Sequence, residues 1–361
     1  AKDLGSREKL YDAKYLHYQP AETNTSIREG WFYRDDTHQK VRSADDVFDM
    51  YERSVGGNSI FLLNIPPNRD GKFSHQDVVS LVEAGNRIRE TYDVDLLKGA
   101  KGPKKILNSN PNKYQLLKGN NKELVFTLAS PKKINRIMIQ EAIATHSERV
   151  EKHAVDAWIN NQWQEVATAT NIGYKRILRF PEVTTNKIRI RVLESRLDPA
   201  ISHVSAHYYQ TRPPQLSFTR NVDGYVTIEP ATSDFNWKPH GENIVENLST
   251  GYEIRYTTDG SEPTKSSAKY TEPIFIEGKE LKAAAFHNEQ VGPTESQTIG
   301  LSKKDWKLID TSSEKQSAKG EHAFDADPKT YWQSFLSNGN HHIAIDLGKE
   351  QSISGWIYTP Q

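Results

Sequence analysis

Ser59-Ile60-Phe61-Leu62-Leu63-Asn64-Ile65, closed by Pro66-Pro67, is a short unbroken apolar run with firm punctuation. Such a run is the pattern of a strand buried on both faces. The segments on either side read as helices. Upstream, Ser43 is followed three residues later by Asp46, a capping-box-like start, and Val47, Phe48, Tyr51 and Val55 recur at helical spacing. This predicts a helix of about 12 residues ending at Gly56-Gly57. Downstream, Ser74 with Asp77 opens a second helix that carries Val78, Leu81, Val82, Gly85 and Ile88 on one face. Helix, buried strand, helix is the order of an α/β architecture with a parallel sheet. Active sites in such folds sit at the carboxyl ends of strands, which is the place of Asn64. A complete (β/α) barrel takes about 250 residues, so residues 1–97 read as the C-terminal part of one.

After Leu97 the pattern changes. Lys98 to Lys105 is a basic stretch with Gly and Pro and reads as a linker. Strands then dominate: Leu124–Leu128, Ile134–Gln140, Val155–Ile159, Trp163–Val166 and Ile188–Val192, with Asn160-Asn161 as a turn between two of them. Residues 98–212 therefore read as a β-sandwich. Residues 213–301 form a third unit, where Tyr252–Thr258 alternates strictly and runs into the hairpin signal Asp259-Gly260, with another strand over Leu281–Phe286. Residues 302–361 hold strand patterns at His342–Leu347 and Ile353–Tyr358, with Tyr331 and Trp332 as core candidates, and read as the opening of a fourth domain that the chain does not close. The fold class is thus multidomain: part of a (β/α) barrel followed by all-β sandwich modules.

The 361 residues carry 47 basic and 47 acidic side chains, so no global charge favours nucleic acid or an anionic membrane. There is no cysteine, which removes disulfides, thiolate metal sites and cysteine nucleophiles together. No run of about 18 apolar residues is present to span a membrane. The chain starts at Ala1 with a polar segment and no Met, as a processed chain or a fragment would. No cofactor is expected. His146, Glu148 and His153 lack the spacing of a transition-metal site, and only a structural calcium in a β-sandwich module stays open.

Chemistry-bearing residues concentrate at Pro20–Tyr33. Glu22 is a titratable carboxylate, Arg28 a hydrogen-bonding cation, and Trp31 and Tyr33 aromatic faces, the mixture a carbohydrate site uses. Trp31 can cover a sugar face or fill a core. Arg28 can pair with Glu22 or Glu29, or touch substrate. Asn64 can line the site or cap the turn before Pro66. His17 and His38 stand near the stretch as candidates for sugar hydroxyls. Trp158 and Trp163 read as a cross-strand pair in the sandwich core, or as a stacking platform.

Pro20-Ala21-Glu22, Ser26-Ile27-Arg28, Gly30-Trp31-Phe32-Tyr33, Ser54-Val55-Gly56 and Leu62-Leu63-Asn64-Ile65-Pro66-Pro67 with Arg69-Asp70-Gly71 resemble the C-terminal third of the catalytic barrel of α-L-fucosidases of glycoside hydrolase family 29, most closely the branch selective for α-1,3/1,4-linked fucose. Residues 100–210, through Gly173-Tyr174-Lys175-Arg176-Ile177-Leu178-Arg179-Phe180-Pro181, resemble the discoidin-like, galactose-binding-fold domain that follows that barrel. Tyr256–Thr264 resembles the chitobiase C-terminal sandwich, and residues 315–361 the opening of a coagulation-factor type C domain.

The resemblance implies a periplasmic or extracellular retaining exo-α-L-fucosidase acting on fucosylated oligosaccharides or glycoconjugates. Retention requires two carboxyl groups about 5 Å apart. Glu22 matches the acid/base, which would need a raised pKa from apolar neighbours and from the nucleophile's charge. The nucleophile is an Asp in a Trp-Phe-Asp-Gly-type motif, and no such motif occurs in the sequence. The chain alone is therefore expected to be inactive. The competing class is a non-catalytic carbohydrate-binding or adhesion protein that retains a degenerate barrel remnant.

Overall fold

The computed structural model describes residues 9, 12–15, 20–34, 40–108, 110, 112–120, 122–231, 251–327, 329–335, 338–356 and 358. The chain is multidomain, and its residues divide into two compact units: Ala1–Thr25, Met50–Asn64 and Val94–Tyr208 form the first, and Ser26–Asp49, Ile65–Asp93 and Tyr209–Gln361 the second.

The fucosidase-like stretch builds strand β1 (Ala21–Ser26), helix α1 (Ala44–Ser54), strand β2 (Ser59–Asn64) and helix α2 (His75–Tyr92). Helix α1 forms as its sequence predicts: the Ser43 hydroxyl accepts the Asp46 N–H at 3.2 Å, and Asp45 and Asp46 lie in the first turn, where the helix dipole favours negative charge. Strand β2 departs from expectation. Ile60 and Leu62 are 53% and 46% exposed, so the run is not buried on both faces; β2 pairs with β1 alone in a two-stranded sheet among the described residues.

Helix α2 departs from its predicted face, of which Leu81, Gly85 and Ile88 are half-buried and the valines are not. Val78, Val79 and Val82 are exposed, whereas Asp77, Ser80, Ala84, Arg87 and Thr91 are buried. Ser74 stands at the N-cap without a side-chain cap bond, and the Asp77 side chain accepts from Arg28 instead of reaching back to the cap. The buried row is held by polar contacts within the second unit. Ser80 donates to the Arg42 carbonyl, Arg87 pairs with Asp45 and with Glu83, and Thr91 donates to the Arg87 carbonyl at 2.7 Å.

The first unit is built around a six-stranded sheet. Its strands are β3 (Gln115–Leu116), β4 (Glu123–Glu141), β5 (Val150–Ile159), β6 (Gln162–Ala169), β7 (Arg176–Ser195) and β8 (Ala200–His207), in the order β3-β8-β4-β7-β5-β6. The short α3 (Ile143–His146) follows β4. Alternation sorts the faces: Val155, Ala157, Ile188 and Ile190 enter the core with Phe126, Ile134, Ile137 and Phe180, while Asp156, Trp158, Arg189 and Arg191 take the other side. The two runs expected as separate strands at 124–128 and 134–140 are one strand, β4, with irregular register between Thr127 and Lys132. The Asn160-Asn161 turn forms with positive φ at both residues, as a type I′ hairpin requires.

The basic stretch after Leu97 is not a free linker. Lys101 and Thr127 exchange two backbone hydrogen bonds of 2.8 Å, and Leu97 and Ile106 are fully buried in the sandwich core. Trp158 and Trp163 do pair across β5 and β6, with centroids 5.2 Å apart, but they are half-buried and stay out of the core. Alternation places them on the outer face, where Lys187 and Arg189 each sit 4.7 Å over one ring.

In the second unit, strands β9 (Leu216–Arg220), β10 (Tyr225–Pro230), β11 (Glu253–Thr257), β12 (Ala268–Lys269), β13 (Ile274–Phe275), β14 (Lys279–His287), β15 (Gln290–Val291) and β16 (Glu295–Ile299) form two sheets over a core of Leu216, Val226, Ile228, Leu281, Ala283 and Ala285. Asp259-Gly260 does not close a two-residue hairpin: only Gly260 has positive φ, and Asp259 accepts from the Ser261 N–H and hydroxyl to start a longer loop toward β12. Strands β17 (Lys307–Thr311) and β18 (Ile343–Asp346) pair farther on. No strand forms over 351–356 among the described residues, and Tyr331 is 40% exposed rather than core; Trp332 is half-buried and donates to the Ser313 carbonyl at 3.0 Å.

Two groups in the first unit make measurable statements. Glu52, fully buried, receives Arg136 Nε at 2.6 Å and Arg179 Nη1 at 3.2 Å. Glu52→Ala leaves two guanidiniums without their carboxylate, and the first unit loses about 3–5 kcal/mol, read as faster amide exchange across β4 and β7. His153 is fully buried; its Nδ1–H donates to the Thr170 carbonyl at 2.7 Å, and burial lowers its pKa to about 4. Its folded pKa lies below the unfolded value, so stability is undiminished above about pH 6.5 and falls as pH drops toward 4, by roughly 3 kcal/mol in all. A His153→Gln chain that unfolds over pH 7–4 with the same pH slope as the parent contradicts this.

Candidate functional site

Of the four candidate residues, Glu22 and Asn64 belong to the first unit and Arg28 and Trp31 to the second. In the first, β1 and β2 are tied by Ser59, whose hydroxyl lies 3.0 Å from the Thr23 hydroxyl and donates to the Ala21 carbonyl at 3.1 Å. Glu22 is the second residue of β1 and its side chain is exposed. Asn64 is the last residue of β2 and is half-buried. The carboxylate and the carboxamide therefore stand on neighbouring strands, Glu22 on a strand rather than in a loop.

In the second unit, Arg28 is 7% exposed, and its Nε lies 2.9 Å and 3.0 Å from the two oxygens of Asp77, which is fully buried. Its guanidinium also stands 5.2 Å from the Tyr33 ring centroid. The carboxylate that orders this segment is thus Asp77 of α2, 49 positions away, where local reading pointed to Glu22 or Glu29; Glu29 lies 3.9 Å from Arg34. Backbone bonds from Glu29 to Lys40 and from Arg42 to Ile27 strap the same segment, and Arg42 adds a bond to the Ser26 carbonyl at 2.9 Å. Trp31 is 45% exposed, so nearly half of its surface meets solvent rather than a core. His17 and His38 lie outside the described residues.

Comparison with known proteins places these elements. Residues 5–91 match the family described as Alpha-L-fucosidase, residues 91–205 the F5/8 type C domain, and residues 241–298 the Chitobiase/beta-hexosaminidase C-terminal domain. The amino-terminal region is thus similar to the alpha-L-fucosidase family. The chain is similar to Alpha-L-fucosidase 1 of Arabidopsis thaliana, 30% identical over 226 residues, covering 56% of this chain and 44% of that protein. A solved Bacteroides ovatus structure described as a "putative alpha-L-fucosidase" is 28% identical with a TM-score of 0.53, covering 82% of this chain and 55% of that one. The chain spans less than half the length of the curated relatives it matches.

Sequence reading missed Asp77 as a functional support because, three residues after Ser74, it passes for a helix cap. The signal was the row Asp77, Ser80, Ala84, Arg87 and Thr91, small and polar residues at helical spacing, which the valines beside it obscured. Asp77→Ala leaves Arg28 buried without its counter-charge. The expected loss is about 3–5 kcal/mol, seen as increased exchange over residues 26–29 and 40–42 and along α2, with a smaller loss for Asp77→Asn, which keeps an acceptor. Unchanged exchange in both variants contradicts the assignment.

Proposed function

We propose that this chain is part of a retaining exo-α-L-fucosidase that removes α-1,3/1,4-linked fucose from oligosaccharides or glycoconjugates outside the cytoplasm. The observation that carries the reading is Glu22 on a strand of the alpha-L-fucosidase-family region, exposed beside the strand that ends at Asn64. In this reading Glu22 is the acid/base: protonated, it gives its proton to the leaving glycosidic oxygen, and as a carboxylate it then takes one from water. The nucleophilic carboxylate is an Asp outside these 361 residues. Trp31 offers its ring to the apolar side of fucose, Asn64 a carboxamide to a sugar hydroxyl, and Arg28, fixed by Asp77, holds its own segment of the second unit. Domain boundaries near residues 97, 212 and 301 separate this region from the β-sandwich modules.

The test uses the full-length gene product. Glu22→Gln is expected to lower kcat/KM on a Lewis-type trisaccharide by about 10²–10⁴-fold. The loss is smaller on an aryl fucoside whose leaving group needs no proton, and the limb of the pH profile assigned to the acid disappears. An α-1,2-linked fucoside is cleaved more slowly than the α-1,3/1,4 forms. If the parent protein leaves both the aryl fucoside and the trisaccharide intact and Glu22→Gln changes nothing, the non-catalytic carbohydrate-binding reading replaces this one.

A further inference from the structure

The F5/8 type C sandwich holds a cavity of about 320 Å³ at one end, within the size range of small-ligand sites. It is lined by Asn110, Gln140, Glu141, Tyr174, Lys175, Ser202 and His203, with Ala142, Ile143 and Ala144 as its apolar part. None of these residues takes part in the site around Glu22.

The walls are fixed before any ligand arrives. Glu141 is 3% exposed; its Oε1 accepts from the Arg149 and Val150 N–H groups at 2.8 and 3.1 Å, and its Oε2 from Gly173 N–H at 3.0 Å. One carboxylate thus joins the loops after β4 and before β7. Gly173 has φ +66°, and a Cβ there would collide with the Asn58 side chain, so this turn admits glycine alone. Asn58 Oδ1 in turn accepts the Tyr174 N–H at 2.7 Å, and Gln140 Nε2 donates to the Tyr174 carbonyl at 3.0 Å. Tyr174 is held by its backbone while its ring is 65% exposed.

The polar groups left over have a definite character. Lys175 is half-buried, and no carboxylate pairs with it among the described residues; burial alone lowers its pKa. Glu141, whose pKa burial raises, already accepts from three N–H donors, and Glu148 accepts from Asn171 Nδ2 at 2.5 Å. The neutral groups offer acceptors. His203 donates through Nδ1 to the Asn108 carbonyl at 3.3 Å, which leaves Nε2 as an acceptor, and Gln140 keeps its carboxamide oxygen. Ser202 donates to the Gln140 carbonyl at 3.2 Å, which leaves its oxygen lone pairs. One cation without an ion-pair partner among the described residues, several acceptors suited to hydroxyls, an open aromatic ring and a small apolar wall fit a ligand that is polyhydroxylated, anionic and one ring in size.

We propose that this cavity binds an acidic sugar residue, with its carboxylate on Lys175, its hydroxyls toward Gln140, Ser202 and His203, and one ring face on Tyr174. The module thereby selects glycans by a charged sugar, independently of how fucose is cleaved.

Calorimetric titration of the full-length protein tests it with four probes: methyl β-D-glucuronide, the methyl glycoside of N-acetylneuraminic acid, neutral methyl β-D-glucoside and sodium sulfate. At least one acidic glycoside is expected to bind tenfold or more tighter than the glucoside and than sulfate. Lys175→Met removes that preference, Lys175→Arg keeps it, and Tyr174→Ala weakens the acidic glycoside threefold or more while the thermal unfolding profile stays that of the parent. Equal binding of acidic and neutral glycosides overturns the proposal. So does a Lys175→Met chain with unchanged preference, sulfate bound as tightly as the sugar acids, or binding of neither acidic glycoside.

Discussion

Glu52 sits at zero exposure near the end of α1 and receives two guanidiniums, from Arg136 on β4 and Arg179 on β7. A carboxylate taken out of water alone costs several kcal/mol, and that cost is offset only when its oxygens are met with good geometry. Arg136 does so through Nε and Nη2, at 2.6 and 3.3 Å, and its Nη1 is satisfied by the Asn135 carbonyl at 3.0 Å. The contact is therefore directional: the last turns of α1 can meet β4 and β7 in one register only. The residues just downstream of α1 inherit that register. Ile177 N–H donates to the Gly56 carbonyl at 2.9 Å, Asn58 holds Tyr174, and β2 begins at Ser59. Within the first unit, the strand that ends at Asn64 is launched from a helix end pinned to the sandwich by charge.

The second unit uses the same physics along α2. A helix that buries aspartate, serine, arginine and threonine and exposes three valines gains little from the hydrophobic effect on its buried side. Its placement rests on pairing, Asp77 with Arg28 and Arg87 with Asp45 and Glu83, and on Arg212, which reaches Glu83 at 2.8 Å and also Glu90. Such contacts are weak sources of net stability yet strong selectors of one arrangement, since any slip strands a charge.

Charge pairing of this kind explains which parts of the molecule were legible in the sequence. The stretches Val155–Ile159 of β5 and Ile188–Val192 of β7 announce themselves because alternation records burial directly, and Asn160-Asn161 because its turn demands positive φ, while the first half of β7 does not. Helix α1 announces itself through Ser43 and its first-turn acids. The face of α2 does not, since periodicity assumes that the apolar side is the inner one, and here ion pairs decide instead. The Trp158–Trp163 pairing was legible while its side of the sheet was not, although Asp156 two residues earlier, at 2% exposure under Arg189 and Arg191, shares that outer face. At the candidate site, motif order singled out Glu22 and Asn64, but the partner of Arg28 lies 49 residues off and no local pattern carries it.

Residue type is therefore a poor guide to chemistry compared with what each group has left to give. Trp158 and Trp163 look like a sugar platform by composition, yet Lys187 and Arg189 already cover their rings. Asp156 looks like a catalytic carboxylate by its burial, which raises its pKa, but hydrogen bonds from Arg191 and Arg189 outweigh that and hold it low, as a spent charge. Glu141 has its oxygens filled by three backbone donors and serves as a joint between loops. Against these stand Glu22, exposed on β1, and Lys175 beside the open ring of Tyr174. The groups that the fold has consumed build the frame, and the uncommitted ones mark where another molecule can complete the set.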